Sequence, residues 1–225
     1  MKDDVVIVIP AYNPSNILVE IINKLQEEKY TKIIVINDGS KDKQVFDKLK
    51  NKVIVLEHAV NQGKGCALKI GFSYCSNNLK DIIGVITVDA DGQHEIDDIN
   101  KLYSMFQKKT NCIILGSRNF KNRNIPLKSK FGNNVMSIIV KQKTKVKIKD
   151  TQTGLRAIPI KYINEIIKLK GKRFEYETNM LLHCISKKID IIEVPIKTIY
   201  MKNNRTSNFR PLKDSIQICK TIIKR

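Results

Sequence analysis

Two aspartates placed directly after an apolar run are the residues of this sequence best suited to chemistry. The run DADGQH, residues 89–94, follows Ile82–Val88, which has the composition of a buried strand. Two carboxylates at a strand end repel each other and lose hydration, so a neighbouring cation stabilises them. Mg²⁺ and Mn²⁺ take oxygen ligands and share them with phosphates. The motif predicts a Mg²⁺ or Mn²⁺ site held by Asp89, Asp91 and Gln93, although an acidic turn with glycine at positive φ explains the same residues.

A second polar motif, NQGKG at 61–65, precedes a predicted helix. Backbone N–H groups at a helix start, together with the Lys64 ammonium, suit a phosphate group. The motif is not a Walker loop, because His58 stands where the first glycine belongs and no serine or threonine follows Lys64. A phosphate site and an ordinary turn are both consistent with it.

Two shorter motifs, IPAYN at 9–13 and NDGS at 37–40, also follow predicted strands. The ring of Tyr12 can stack on a nucleobase, and Asp38 can accept a hydrogen bond from the N3–H of uracil. A strand exit and a common turn explain these residues equally well. If a nucleotide binds here, Asp38 favours a uridine over a guanosine nucleotide.

The elements that must position these motifs alternate between strands and helices. Buried strands are predicted at Val5–Ile9, Ile33–Ile36, Val53–Leu56, Ile82–Val88 and Cys112–Leu115. The alternation predicts an α/β fold with a mostly parallel central sheet and helices on both faces. Ligands of such sheets bind at the carboxyl ends of the strands. That edge is expected to gather Tyr12, Asp38, Lys64, Asp89, Asp91 and Arg118.

The second half of the chain is less regular. Helices are predicted at 126–142, 159–169 and 176–188, and a basic helix at 211–224. The segment 189–199 is predicted to be extended, and Pro195 favours a position at the edge of the sheet.

The composition is that of one globular domain with a large excess of positive charge. The 225 residues include 41 Lys and Arg against 22 Asp and Glu, a formal net charge of +19. Such a charge favours anionic partners, although an AT-rich coding sequence explains the abundance of Lys, Asn and Ile equally well. A nucleic-acid partner is not expected, because no helix-turn-helix, zinc-finger or aromatic ribonucleoprotein motif occurs and Trp is absent.

Cysteine usage and hydropathy bear on location. The five cysteines are scattered without a C-x-x-C pair, which favours a reducing compartment. The first residues do not have the pattern of a signal peptide, and no run of 18 apolar residues occurs. We therefore expect a cytoplasmic protein whose contact with a membrane, if any, is peripheral.

Six motifs in a fixed order make the sequence recognisable. They lie at 9–13, 37–40, 61–65, 89–94, 116–118 (GSR) and 150–156 (DTQTGLR). In this combination the chain resembles the family 2 glycosyltransferases, and most closely their dolichyl/polyprenyl-phosphate mannose or glucose synthase branch. The likeness runs from Val5 to about Arg210, which is most of the chain.

The resemblance implies a glycosyltransferase A-type, Rossmann-like fold and an inverting transfer of a sugar from a nucleoside diphosphate donor. It implies a catalytic domain at 1–210, with a nucleotide-binding half at 1–118 and an acceptor half at 119–210, before a basic amphipathic helix at 211–225. The implied cofactor is Mg²⁺ or Mn²⁺. A nucleotidyltransferase shares the sheet-edge carboxylates and differs in its product, since it releases pyrophosphate.

The resemblance also implies roles for particular residues. The donor-binding set is Pro10, Ala11, Tyr12, Asn13, Asp38, Lys64, Asp89, Ala90, Asp91 and Gln152. The metal ligands are Asp89, Asp91 and Gln93, and the candidate catalytic residues are Asp91, Arg118 and Glu177. One departure from the family pattern is Asn37, where many members carry a second aspartate.

Two acceptors remain open at this point. A polyprenyl phosphate is ionised near neutral pH, since the second pKa of a phosphate monoester is about 6, and needs no base. A sugar hydroxyl must lose its proton to a carboxylate, for which Glu177 and Glu175 are the candidates. Arg205 and Arg210 fall where the resembled branch has a basic loop over the substrate, so they are expected to bind phosphate.

Basic amphipathic segments at 127–149 and 211–225 bear on the membrane. Such helices bind anionic membranes, and each Lys or Arg near the surface adds about 1 kcal/mol. A solvated lysine face over a core stripe explains the same pattern. Since the resembled branch uses a polyprenyl phosphate, we expect a peripheral location on the cytoplasmic face of the membrane.

Overall fold

The computed structural model describes residues 1–119 and 127–197, and within them a single sheet is flanked by helices. The strands are β1 Val5–Ala11, β2 Ile33–Asn37, β3 Ile54–Glu57, β4 Gly84–Thr87, β5 Ile113–Arg118, β6 Arg156–Pro159 and β7 Ile191–Ile196. The helices are α1 Ile17–Glu27, α2 Gln44–Asp47, α3 Lys64–Asn78, α4 Ile96–Lys108, α5 Leu127–Thr144, α6 Ile160–Ile167 and α7 Glu175–Ser186. None of the described helices combines the length and the apolar composition needed to cross a bilayer.

The sheet has the strand order β3-β2-β1-β4-β6-β5-β7. Strand β6 is antiparallel to both of its neighbours, and every other pairing is parallel. The predicted mostly parallel sheet is therefore confirmed. The predicted edge position of Pro195 is confirmed as well, because β7 is the last strand on its side of the sheet among the described residues.

Apolar residues of β1 alternate between two hydrophobic cores, one on each face of the sheet. Val5 and Ile7 pack on one face with residues of α1 and α4. Val6 and Val8 pack on the other face with residues of α3, α6 and α7. The prediction of helices on both faces is thus confirmed, and all four side chains are fully buried.

Two predictions about strands were wrong. Strand β1 does not end before Pro10 but continues to Ala11. The backbone N–H and C=O groups of the even-numbered β1 residues point toward β4, as the Val8 carbonyl does when it accepts from the Val88 amide. The last residue of β4 that pairs with β1 is Thr87, which lies opposite Val8. Proline at position 10 therefore deprives no neighbouring strand of a hydrogen bond. Strand β6 was not predicted, because four residues that contain Arg156 and Pro159 have no strand-like periodicity.

The parallel strands carry their motifs to one edge of the sheet. The chain leaves β1, β2, β4 and β5 there, and the antiparallel β6 begins there, so that residues 150–155 join the same edge. Arg205, Arg210 and the predicted helix at 211–225 lie outside the described residues.

Candidate active site

Three elements bring Lys64, Asp89 and Glu177 together. Lys64 begins α3, Asp89 follows β4 and Glu177 lies in the first turn of α7. The Lys64 Nζ atom lies 2.7 Å from Asp89 Oδ1 and 2.9 Å from Glu177 Oε2. We call Lys64, Asp89, Asp91 and Glu177 the acidic cluster. Sequence reasoning named all four residues but did not predict that Lys64 pairs with two of the carboxylates.

Close packing explains the glycines beside Lys64. A Cβ atom on Gly65 would lie 2.6 Å from the Cβ of Tyr176, and one on Gly63 would lie 2.5 Å from the carbonyl oxygen of Lys172. The Cys66 amide also donates to that carbonyl, at 3.1 Å. The glycines therefore let the start of α3 approach the residues that lead into α7.

Two amides of the NQGKG motif, and the amide of Cys66 just after it, already have acceptors within the protein, so a phosphate bound by this loop stays a prediction that these amides do not support. The amides of Gln62 and Gly63 donate to Asp38 at 2.9 and 2.8 Å, and the Cys66 amide donates to a carbonyl. An amide N–H that already has a protein acceptor is not available to a ligand. The ammonium of Lys64 is the part of the motif that reaches the carboxylates.

Asp38 fixes the conformation of the loop 58–63. Its carboxylate is buried and accepts from the Asn61 side chain at 2.9 Å in addition to the two loop amides, and His58 Nδ1 lies 2.7 Å from it. Four partners on two carboxylate oxygens fix the loop without a ligand. The role of Asp38 in binding uracil stays a prediction, whereas its structural role was not predicted.

Residues 10–13 and the turn after β2 form one corner of the site. The Asn13 amide donates to Ser40 Oγ at 2.8 Å, and Asn13 Oδ1 accepts from the Lys41 amide at 3.0 Å. Asn37 closes the turn, since its Oδ1 accepts from the Ser40 amide at 2.9 Å. Half-buried Tyr12 lies within this corner, next to buried Ala11. The structure thus joins two motifs that are weak when taken alone.

Burial and charge act in opposite directions on the two aspartates. Burial and the neighbouring charge of Asp89 raise the pKa of Asp91. Burial alone would also raise the pKa of Asp89, but the charge of Lys64 and the neighbouring ring of His94 lower it well below its usual range. Burial would lower the pKa of Lys64, and its two carboxylate partners more than offset this and raise it. The ionised form of Asp89 is therefore stabilised by its surroundings, whereas the ionised form of Asp91 is destabilised because too little positive charge lies near it.

The charge balance of the acidic cluster tests whether a divalent cation fits. Three carboxylates and one ammonium sum to −2 when all are ionised. Among residues 1–119 and 127–197, Asp91 forms no ion pair with a basic side chain, and Glu177 Oε1 is buried without a hydrogen-bond partner. A cation of charge +2 with a preference for oxygen matches this set. The described residues hold no group of three or more His, Cys, Asp or Glu that could hold a metal ion by themselves, so a cation at this site would need ligands from a bound molecule or water.

His94 is the last residue of the DADGQH motif, and the sequence alone indicated no role for it. Its side chain is 8% exposed, and its Nε2 atom lies 3.5 Å from Asp89 Oδ2. Within the described part of the chain, neither ring nitrogen has a well-aligned hydrogen-bond partner. The ring thus lies on the side of Asp89 away from Lys64 and confines its carboxylate.

Gly154 forms the floor under Asp89. The Gly154 carbonyl accepts from Thr87 Oγ1 at 2.7 Å, which fixes the backbone, and a Cβ atom on Gly154 would overlap the Asp89 carboxylate. The glycine of the DTQTG motif is therefore explained by its contact with the DADGQH motif.

Gly154→Ala is expected to reduce the activity about a hundredfold while the free energy of unfolding falls by only about 1 kcal/mol, because the added methyl displaces one carboxylate rather than the core. Steady-state rates and urea unfolding measure the two effects. Gly116→Ala is the matched control, since its Cβ would meet only side-chain carbons at 3.0 Å or more. Equal losses of activity in both variants would contradict the assignment.

Arg118 is held by a buried partner. Its Nε lies 2.6 Å from Asp150 Oδ2 and its Nη2 lies 2.9 Å from Asp150 Oδ1, the bidentate geometry of a strong ion pair. Asp150 is fully buried, and the Gln152 amide donates to it at 3.2 Å. The structure therefore shows what orients Arg118, while the contact of Arg118 and Gln152 with a donor stays a prediction.

Arg156 ties the loop 151–153 to α7. Its buried guanidinium donates to the carbonyl oxygens of Thr153 at 2.9 Å, Glu177 at 2.7 Å and Thr151 at 3.4 Å. Sequence reasoning included Arg156 only as the last residue of a motif. An arginine between the apolar residues Leu155 and Ala157 was the available signal.

The structure separates the two candidate bases. Glu175 Oε1 accepts from the amides of Lys172 and Arg173 at 2.9 and 3.3 Å, so Glu175 caps the turn before α7. Glu177 contributes to the acidic cluster instead. Of the two, Glu177 is the one placed beside the predicted metal ligands.

Comparison with known proteins agrees with this arrangement. Of the curated relatives, UDP-N-acetylglucosamine–dolichyl-phosphate N-acetylglucosaminyltransferase of Methanococcus voltae is 35% identical over 218 residues, which cover 86% of this chain and 85% of that protein. A dolichyl-phosphate beta-glucosyltransferase of Trichomonas vaginalis is 33% identical over 171 residues, 67% of this chain and 51% of that protein.

A solved structure agrees in fold. Glucosyl-3-phosphoglycerate synthase of Mycobacterium tuberculosis, in complex with Mn²⁺, UDP and phosphoglyceric acid, superposes with a TM-score of 0.75 over 99% of this chain and 78% of that one, at 15% identity. This likeness confirms the glycosyltransferase A-type fold. The family described as Glycosyl transferase family 2 matches residues 6–167. Since that match spans most of the sequence and both similar relatives are sugar transferases, the chain belongs to glycosyl transferase family 2.

Proposed function

We propose that this glycosyltransferase moves a sugar from a UDP-sugar to a polyprenyl phosphate, with inversion at the anomeric carbon and with Mg²⁺ or Mn²⁺ as cofactor. The observation that carries the proposal is the acidic cluster, whose charge is −2 and whose aspartates follow β4, the parallel neighbour of the strand β1 that leads into the corner formed by residues 10–13 and 37–41. Two similar relatives are named for dolichyl-phosphate acceptors, and complexes of the structurally similar synthase contain UDP with Mn²⁺ or Mg²⁺.

The donor half of the site follows from the residues present. The corner with Tyr12 and Asn13 receives the uridine, and Asp89, Asp91 and Gln93 hold the metal. When bound, a divalent cation neutralises the charge that develops on the diphosphate leaving group. Arg118, oriented by Asp150, adds a second positive charge on the phosphate side.

The acceptor half explains why no base is required. In the proposed step a phosphate oxygen of the acceptor forms a bond to the anomeric carbon while the bond from that carbon to the diphosphate breaks, and UDP leaves with the electron pair. The phosphate is already ionised near neutral pH, so no proton has to be removed. Arg205 and Arg210 are proposed to hold it, within the acceptor half at 119–210.

A peripheral membrane location on the cytoplasmic face completes the proposal. Helix α5 packs Met136 and Val140 toward α7, while Ile138 on another side is 55% exposed. Exposed Lys141 and Lys145 follow it along the chain. An apolar side chain among lysines is suited to an anionic bilayer surface. Flotation with vesicles containing phosphatidylglycerol tests this part, and equal binding to neutral vesicles would contradict it.

A donor and product screen tests the reaction. Calorimetry with UDP- and GDP-sugars in the presence of Mn²⁺ is expected to show binding of a UDP-sugar, and mass spectrometry with a short polyprenyl phosphate is expected to show its glycosylated product. Absence of binding to every donor would refute the proposal. Release of pyrophosphate would instead identify a nucleotidyltransferase.

The second candidate function is transfer to a sugar hydroxyl. One observation favours it, namely that Glu177 Oε1 is buried and without a partner among the described residues, as a proton acceptor would be before a hydroxyl binds. Glu177→Gln separates the two candidates, because a general base contributes a factor of about 10² to 10⁴ to the rate whereas an ionised acceptor needs none. We expect the variant to retain at least about a tenth of the rate with a polyprenyl phosphate.

Glu165→Gln is the matched control for this test, because Glu165 pairs with His183 and Lys187 on the surface and its side chain is 53% exposed. A loss of more than about a hundredfold in Glu177→Gln alone, with the affinity for Mn²⁺ in the presence of UDP unchanged, would assign the hydroxyl acceptor.

A further inference from the structure

Lys64 takes the place of a counter-ion in the acidic cluster. Its ammonium contacts the same carboxylate, Asp89, that is a proposed metal ligand. It also contacts Glu177, and its side chain is 15% exposed. A lysine stem has several rotatable bonds, so the ammonium can move between partners without any change in the backbone.

Two cations that share one carboxylate oppose each other. The ammonium lies 2.7 Å from Asp89 Oδ1 and occupies one of the positions from which a second cation could approach that oxygen. Like charges repel, and burial strengthens the repulsion because the local dielectric constant is low. A metal that approaches Asp89 and Asp91 must therefore overcome the charge of Lys64 or displace it.

We propose that Lys64 competes with the divalent cation for Asp89, so that the enzyme binds the cation weakly until a nucleoside diphosphate supplies the ammonium with another anion. The inference rests on the proposed function, since it assumes that a metal and a diphosphate share this site. It adds that Lys64 makes the binding of the two ligands mutually dependent. Binding free energies are reciprocal, so the metal strengthens nucleotide binding by the same factor.

The test measures Mn²⁺ binding to the free protein, without nucleotide, by electron paramagnetic resonance. Lys64→Met keeps the length of the side chain and removes the charge, and it is expected to bind Mn²⁺ about tenfold more tightly than the wild type. Lys64→Arg keeps the charge and is expected to bind Mn²⁺ within about threefold of the wild type. With UDP present, the wild type gains affinity for Mn²⁺, and the gain is expected to be smaller in Lys64→Met.

Lys69→Met is the control for a general change in charge. Lys69 lies on the same helix, α3, with its Nζ 4.8 Å from the centroid of the Tyr176 ring and no carboxylate partner among the described residues. Its substitution is expected to leave Mn²⁺ affinity unchanged. An increase in this variant equal to that in Lys64→Met, or no increase in Lys64→Met, would overturn the inference.

The design separates the two proposals. If the wild type binds no Mn²⁺ even with UDP, the proposed metal-dependent function fails. If it binds Mn²⁺ with UDP but Lys64→Met binds Mn²⁺ alone no better than the wild type, only the role of Lys64 fails. Should Lys64→Met not fold, as judged by circular dichroism, Lys64→Gln replaces it, because its amide still donates to one carboxylate without carrying charge.

Discussion

Asp91→Asn is expected to lower the rate of sugar transfer by about a thousandfold or more. Asparagine has the same shape as aspartate but brings no negative charge to a divalent cation. The affinity for Mn²⁺ in the presence of UDP should fall with the rate, because both depend on the same ligand. Single-turnover kinetics and calorimetry measure the two losses.

The same substitution is expected to raise the free energy of unfolding at neutral pH. Asp91 is a half-buried carboxylate whose pKa is raised by burial and by Asp89. Since its pKa is higher in the folded than in the unfolded state, ionised Asp91 destabilises the fold above that raised pKa. Below the ordinary pKa of aspartate both states are protonated, and the effect disappears. The gain in stability of Asp91→Asn should therefore be present at neutral pH and absent in acid.

Asp97→Asn is the matched control. Asp97 is exposed in the first turn of α4, and its substitution removes one negative charge a short distance along the chain from Asp91. It should change neither the rate nor Mn²⁺ affinity by more than about twofold. An Asp91→Asn enzyme that retains activity would show that the DADGQH motif does not act through a metal.

The opposite signs of these effects are typical of a functional site. Residues selected for fold stability alone would not place Asp89 and Asp91 together at a strand end with one ammonium that pairs with Asp89 and Glu177 but not with Asp91. A site that binds a cation needs this excess of negative charge before the cation arrives. The expected loss of stability at Asp91 is thus consistent with the proposed cation site.

The parts of the fold that the sequence predicts are those with local causes. Apolar runs such as Val5–Ile9 are long enough to identify buried strands, and each ends in a polar motif at the same edge. The parallel arrangement then follows from the helices between the strands. Knowing the edge was sufficient to bring Lys64 and Asp89 into one site.

The parts that the sequence does not predict depend on contacts between distant residues. Asp38 and Lys64 could each be assigned to a ligand from the sequence. In the structure, however, Asp38 binds the 58–63 loop and Lys64 contacts Glu177. No periodicity relates Lys64 to Glu177, because the contact depends on how close two helix ends approach. Strand β6 was missed for the same reason, since four residues are stabilised as a strand only by β4 and β5 on either side.

Arg156→Met is expected to have the largest effect on stability, a loss of at least about 3 kcal/mol in the free energy of unfolding. The substitution removes the hydrogen bonds from a charged donor and leaves three buried carbonyl oxygens without that donor. Two of those bonds, to Thr153 and Glu177, are 2.9 and 2.7 Å long. Urea unfolding followed by circular dichroism measures the loss. Activity should also fall, because the guanidinium fixes residues 151–153 against the start of α7.

Arg156→Lys distinguishes a requirement for charge from a requirement for geometry. An ammonium restores the positive charge but cannot span three carbonyls in the plane of a guanidinium, so we expect about half of the stability loss to remain. Recovery to the wild-type value would show that charge alone matters at this position. An unfolding midpoint of Arg156→Met equal to that of the wild type would show that packing holds residues 151–153 and α7 together. Glu177 would then be positioned in the acidic cluster by Lys64 rather than by Arg156.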